Sequence, residues 1–239
     1  MTLHRFFVPP TSAGADHVTF SPDQARQMQR VLRLRPGDRV IALDGTGKEY
    51  VVTLQDGFEG RIEETRRNTA EPSLTLTLYQ GVLKGAKLEL VLQKCTEIGV
   101  DRFVPVTTAR AVPADPSPSR QRRFETIVRE AAEQSRRGCV PAIEPAIDLA
   151  QALQCAAANG PIVLLWEEGG CPLRQLTCGP APSTLSLFVG PEGGFSEEEV
   201  ELARRGGAQI ATLGPRILRS ETAAIVGAAL LLARYDGGG

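Results

Sequence analysis

The sequence predicts an α/β protein in two parts. A small β-rich domain with one helix covers residues 1–72, and a larger α/β layer with a mostly parallel sheet covers residues 73–239. Three observations carry this. Short β-like pieces near the start are separated by Asp44-Gly45 and Asp56-Gly57, both turn formers. Beyond Thr69-Ala70-Glu71-Pro72, strand-like runs alternate with apolar residues at helical spacing, the pattern of a parallel sheet layered with helices. Two of the later strands run into irregular, glycine-containing loops that lead into helices.

The elements follow in order. Arg5 to Val8 is a short aromatic strand. Ser21 caps a helix with Pro22 at its first position, running to about Arg33. Strands are expected at Arg39 to Leu43, Glu49 to Leu54 and Gly60 to Glu64. In the second part Leu74, Leu76 and Leu78 alternate with Thr75, Thr77 and Tyr79 as in a strand. Leu88, Val91, Leu92, Cys95 and Ile98 recur at helical spacing, with Gly99 as the stop. Arg102 to Val106 is a strand, and a proline-containing loop follows from Val112 to Ser119. Phe124, Ile127, Val128, Ala131 and Ser135 mark the inner face of the next helix. Ile162 to Trp166, Leu185 to Val189 and Gln209 to Leu213 are apolar strands, and a last helix starts near Ser220. Its apolar run, Ala223 to Ala233, is too short for a membrane span and fits a buried helix. The glycine tail after Asp236 is expected to fray.

Bulk properties narrow the function. Hydrophobic residues make up 42% and charged residues 23% of 239, ordinary for a folded soluble chain. The net charge of −1 rules out a polycation, so any nucleic-acid contact must come from a local basic patch. The five cysteines include no C-x-x-C pair, and His4 and His17 are not in ligand spacing with them. No metal site and no disulfide framework is expected, and the thiols read as reduced, in a cytoplasmic protein. The N-terminus lacks the apolar stretch of a signal peptide.

Three segments carry candidate chemistry. Arg26, Arg30 and Arg33 share one face of the first helix, while Ala25, Met28 and Leu32 share the other; Arg35 and Arg39 extend the patch. Between Ser21 and Arg39 there are five arginines against two aspartates, which suits RNA phosphates or simply a solvated face. The strand Leu187-Phe188-Val189 enters Gly190-Pro191-Glu192-Gly193-Gly194-Phe195, and Ser196 with Glu199 forms a capping box. Neither a P-loop nor a dinucleotide fingerprint is present, so the loop is either a close-approach ligand loop or a tight turn. In Leu213 to Ala224, Ile217 and Leu218 are apolar loop residues bracketed by Arg216, Arg219 and Glu221. That suits a pocket for a flat aromatic group such as adenine, or a loop tucked into the core.

In this order the segments resemble the RsmE family of SPOUT-class methyltransferases over essentially the whole chain. The resemblance rests on His4-Arg5-Phe6-Phe7, Val31 to Asp38, Lys84-Gly85 with Lys87, and Gln93 to Val100. It continues through Glu130 to Arg137, Val189 to Phe195, and Leu213 to Ala223. The chain departs from the family at Arg136, where glycine is frequent, and at Cys139, where a basic or polar residue is frequent.

The resemblance implies a PUA-like β-barrel for the first domain and a SPOUT methyltransferase domain with a deep trefoil knot for the second. It implies S-adenosyl-L-methionine as cofactor, N3 of a uridine in 16S ribosomal RNA or the small ribosomal subunit as target, and a homodimer. Cofactor contacts would map to Leu165, Glu167, Gly190, Glu192, Leu213, Gly214, Ile217, Leu218, Arg219, Glu221, Thr222 and Ala223. RNA contacts would involve Arg5, Arg26, Arg30, Arg33 and Arg35. Arg5 and Arg137 are candidates for stabilising negative charge on the uracil, Arg137 on a helix face with Glu130, Glu133 and Gln134. The sequence assigns no general base. Another SPOUT-class enzyme acting on ribose or a purine, and a non-catalytic RNA-binding assembly factor, are the competing readings.

Overall fold

The computed structural model describes residues 3–111, 117–176 and 182–235. The loop expected over Val112 to Ser119 lies mostly outside them, as do Cys178 and the glycine tail. The chain forms two compact units. One is built from the chain up to Glu71 together with Ala132–Val140, the other from Pro72–Ala131 and the chain from Pro141 onward.

The first unit is a five-stranded sheet with one short helix. Its elements are β1 (Arg5–Phe7), β2 (His17–Thr19), α1 (Pro22–Arg26), β3 (Arg39–Leu43), β4 (Lys48–Leu54) and β5 (Glu59–Arg67). The sheet order is β1-β3-β4-β5-β2, parallel at β1–β3 and antiparallel elsewhere. One face buries Phe6, Val18, Met28, Val40 and Val52. The other packs Phe7, Ile41 and Leu43 against Ala132, with Leu3 and Val140 beside them. That second packing accompanies the grouping of Ala132–Val140 with this unit.

The first helix corrects the sequence expectation. Ser21 caps it through both halves of a capping box with Gln24, and Pro22 opens it. It then widens into a π-turn over Gln27–Val31, where the Leu32 N–H reaches back five residues to the Gln27 carbonyl at 3.0 Å. The helix therefore stops at Val31, and Arg33 lies beyond it in the left-handed region at φ 56°. The extra residue per turn seats Met28 in the core and leaves Val31 71% exposed.

The second unit is an eight-stranded sheet in which every pairing is parallel. In chain order its elements are β6 (Thr75–Gly81), α2 (Lys87–Ile98), β7 (Arg102–Thr107), α3 (Pro118–Gln134), β8 (Ala142–Ile143) and β9 (Ile147–Asp148). There follow α4 (Leu149–Ala157), β10 (Ile162–Leu165), β11 (Cys171–Pro172), β12 (Thr184–Val189), α5 (Glu197–Arg205), β13 (Ala208–Thr212) and α6 (Ser220–Tyr235). The sheet order is β11-β13-β10-β12-β6-β7-β8, with β9 also on β7. Gly99 ends α2 in the left-handed conformation at φ 119°.

One core face gathers Tyr79, Val104, Leu153, Leu164, Phe188 and Ile210. On α6, Gly227 permits close approach to the sheet: a Cβ there would lie 2.8 Å from the Leu165 side chain. No described helix is long and apolar enough to cross a membrane.

Candidate functional site

The carboxyl ends of β10, β12 and β13 and the starts of α2 and α6 converge on one cavity of the second unit. This is where open parallel sheets hold ligands. Its volume is about 270 Å³ and its mouth is open to solvent, near the lower end of small-molecule sites. Leu165 ends β10 and Trp166 and Glu167 follow it, Val189 ends β12 and Gly190 to Glu192 and Gly194 lie in the loop after it, and Thr212 ends β13 with Leu213 and Gly214 beyond. Arg216 to Arg219 follow, then Ser220, Glu221 and Ala223 of α6, and Lys87 of α2.

Local sequence explains the convergence. The Gly194 N–H donates to the Pro191 carbonyl at 3.0 Å, turning the loop, and Gly194 sits at φ 68°. A Cβ on Gly190 would come within 3.1 Å of the Gly194 backbone. The turn thus favours glycine at 194 through its positive φ, and at 190 it leaves little room for a side chain. Ser196 and Glu199 form the expected capping box at the start of α5. After β13, Gly214 takes φ 116° and the Thr212 hydroxyl bonds to its backbone.

A buried polar bridge ties the end of β6 to two of these elements. The Gln80 side-chain N–H donates to the Ser220 hydroxyl at 3.0 Å and the Gly190 carbonyl at 3.3 Å, and the Ser220 hydroxyl donates to the same carbonyl. Gln80 is 2% exposed, so these bonds are made in a dry setting where leaving them unmade is costly.

Charge on the wall is arranged in pairs and orphans. The Lys87 ammonium lies 2.9 Å from Glu192 Oε1, which also accepts the Lys84 backbone N–H at 3.1 Å. Burial pushes the Glu192 carboxyl up, but the Lys87 and backbone hydrogen bonds outweigh it and hold the group below its ordinary value. Arg110 donates to the Gly193 carbonyl at 3.0 Å and braces the glycine-rich loop. Glu221 Oε2 and Trp166 Nε1 are buried without a hydrogen-bond partner, the kind of exception that marks a ligand site.

Of the expected cofactor contacts, the structure gathers Leu165, Glu167, Gly190, Glu192, Leu213, Gly214, Ile217, Leu218, Arg219, Glu221 and Ala223 on this wall. Thr222 is not on it and faces outward from the first turn of α6. Ile217 is 83% exposed at the mouth. Lys87, Trp166 and Ser220 line the cavity without having been assigned a role; for Lys87 the signal was its place in the Lys84-Gly85 motif.

The remaining expected residues belong to the first unit. Arg26, Arg30, Arg33 and Arg35 are exposed there, Arg26 bonded to Asp23. Arg5 lies 2.7 Å from Glu49, which Arg66 also approaches at 2.5 Å. Arg137 is only 2% exposed and meets Glu71 at 2.7 Å. It does not share a helix face with Glu130, Glu133 and Gln134. Arg136 enters the left-handed region at φ 66°, α3 ends at Gln134, and the Arg137 N–H closes the end by donating to the Ala132 carbonyl at 2.9 Å. Neither Arg5 nor Arg137 lines the cavity. Among the described residues no cluster of His, Cys, Asp and Glu suits a metal ion.

Comparison with known proteins places this geometry. The RNA methyltransferase domain family matches residues 70–232, and the RNA methyltransferase PUA domain family matches residues 20–63. A ribosomal RNA small subunit methyltransferase E from Synechocystis sp. is 34% identical, covering 98% of this chain and 78% of its own. Its namesake from Bacillus subtilis is 32% identical, covering 92% and 93%. The crystal structure of a ribosomal RNA small subunit methyltransferase E from Neisseria gonorrhoeae, bound to S-adenosyl methionine, superposes with a TM-score of 0.87 at 31% identity over 98% of each chain. A methyltransferase from Legionella pneumophila in complex with the same cofactor gives 0.86 at 28% identity, also over 98% of each.

Proposed function

We propose that this chain, which belongs to the family of ribosomal RNA small subunit methyltransferase E, transfers the methyl group of S-adenosylmethionine to N3 of a uridine in small-subunit (16S) ribosomal RNA. The observation that carries the reading is the cavity at the ends of β10, β12 and β13, walled by two glycine-containing loops and the start of α6.

The residues present fit the cofactor. Leu165, Leu213 and Leu218 offer apolar surface for a flat base, and Glu167 and Glu221 offer negative charge to a ligand bearing a sulfonium and an ammonium, while Glu192 lines the wall paired with Lys87. The unpartnered Glu221 oxygen and Trp166 N–H await such a ligand. When bound, the cofactor supplies an electrophilic methyl, and the chain's task is to bind, orient and exclude competing water.

Residues 1–72 serve in this reading as a PUA-like RNA-binding domain and residues 73–239 as the transferase domain with its C-terminal knot. Arg26, Arg30, Arg33 and Arg35, exposed on one stretch of the first unit, contact RNA phosphates. Arg5 and Arg137, the sequence's candidates for stabilising charge on the uracil, are instead paired with Glu49 and Glu71 and do not line the cavity. The protein acts as a homodimer in the cytoplasm, where its ribosomal substrate is. Titration with S-adenosylmethionine tests the reading: saturable binding at one site per chain, lost in Gly190→Val, is expected. A wild-type chain that binds none is a non-catalytic RNA-binding factor instead.

A further inference from the structure

Removing the N3 proton of a uracil leaves negative charge shared with the two flanking carbonyl oxygens. A transferase for that atom therefore gains from a fixed cation where the base sits. The cations on the cavity wall are Lys87, Arg216 and Arg219. Arg216 and Arg219 lie exposed in the irregular segment before α6. Lys87 is the first residue of α2 and is held by Glu192, with side-chain exposures of 39% and 28% for the pair. Glu192 is fixed in turn by the Lys84 N–H. The ammonium is thereby preorganised yet still reachable from the cavity.

Resting on the reading that this cavity methylates uridine N3, we propose that Lys87 is a catalytic residue whose ammonium, positioned by Glu192, contacts a uracil carbonyl oxygen and stabilises the N3-deprotonated base. The N3–H bond breaks and the proton passes to solvent water or hydroxide. The electron pair left on N3 forms the new N–CH₃ bond, and the S–CH₃ electron pair stays on sulfur, which leaves as a neutral thioether. Glu192 is not the proton acceptor: it stays ionised as the partner of Lys87. The other charged groups sharing the cavity with Lys87 are Glu167, Glu221, Arg216 and Arg219. A compact point charge serves a single carbonyl oxygen better than a planar fork, so arginine is an incomplete substitute.

The test compares wild type, Lys87→Met and Lys87→Arg on small-subunit RNA carrying uridine or 5-fluorouridine, whose N3–H is the stronger acid. Lys87→Met is expected to lower kcat on uridine RNA by about 100-fold, with Lys87→Arg in between. Cofactor affinity should stay within about threefold of wild type, which also reports that the variant is folded. The 5-fluorouridine substrate should recover most of the loss. In complexes with S-adenosylhomocysteine, the fluorine NMR signal of the base should show its acidity raised about tenfold by wild type and not by Lys87→Met. Unchanged kcat in Lys87→Met, or equal base acidity in both complexes, overturns the proposal. A wild type that binds the cofactor but forms no methyluridine overturns the reading beneath it.

Discussion

Glu71 fastens Arg137. One carboxylate oxygen meets the guanidinium at 2.7 Å, and the other accepts the backbone N–H groups of Gly138 and Cys139 at 2.7 and 3.0 Å. Arg137 is almost fully buried, so removing this carboxylate takes a close opposite charge from a desolvated guanidinium. Glu71→Ala should therefore destabilise the fold by about 3 kcal/mol. Arg137→Met, which removes the charge and keeps the volume, should cost clearly less. Urea unfolding measures both, and equal losses would contradict the arrangement.

Arg136 occupies the left-handed position that closes α3, at φ 66°. A side chain there is strained by about 1–2 kcal/mol, while glycine forfeits part of that gain through its freer unfolded chain. Arg136→Gly should raise stability by about 0.5–1 kcal/mol in the same unfolding assay. A loss of stability would show that the arginine side chain makes contacts that outweigh the strain.

Two carboxylates link stability to pH. Asp44 accepts hydrogen bonds from the Thr46 backbone and hydroxyl and from Tyr50; Glu49 is bonded to Arg5, Arg66 and Asn68. Burial raises both groups, but these bonds outweigh it and hold each below its ordinary value of 3.8 or 4.5. The unfolded chain therefore binds more protons in acid. Their contribution is fully present above pH about 5 and is lost as pH falls through the depressed folded values. Denaturation followed from pH 6 to pH 3 should show stability falling, and Glu49→Gln should flatten the slope. An unchanged slope in that variant would remove Glu49 from the linkage.

Gly190 sits where little room is left for a side chain. A Cβ meets the Gly194 backbone at 3.1 Å, and the branched side chain of Gly190→Val projects into the loop that lines the cavity. The variant should lose S-adenosylmethionine affinity by more than about tenfold, one or two lost contacts' worth, while RNA affinity is unchanged. Parallel loss of both would signal unfolding and not a local effect.

Much of this was legible in the residues because local signals agreed with tertiary demands. Arg39–Leu43 is a strand over the expected span, since its turn residues and apolar run agree. Ser196 and Glu199 form their box, and Gly99 ends α2 as written. What escaped depends on distant partners. The His17–Thr19 strand buries one side chain, Val18, and exists because β5 offers an edge. The π-turn at Gln27–Val31 follows from seating Met28 in a core that no local pattern describes. Arg137 carries no mark of its bond to Glu71, 66 residues earlier. Most of the cavity wall was readable through the family's motifs, whereas the ion pair of Lys87 with Glu192 joins residues 105 apart.

Production of N3-methyluridine in small-subunit ribosomal RNA is tested by incubating small subunits that lack the modification with labelled S-adenosylmethionine and identifying the labelled nucleoside by mass. Stoichiometric N3-methyluridine at a single site is expected. A methylated purine or ribose, or no transfer by a chain that binds the cofactor, would contradict it.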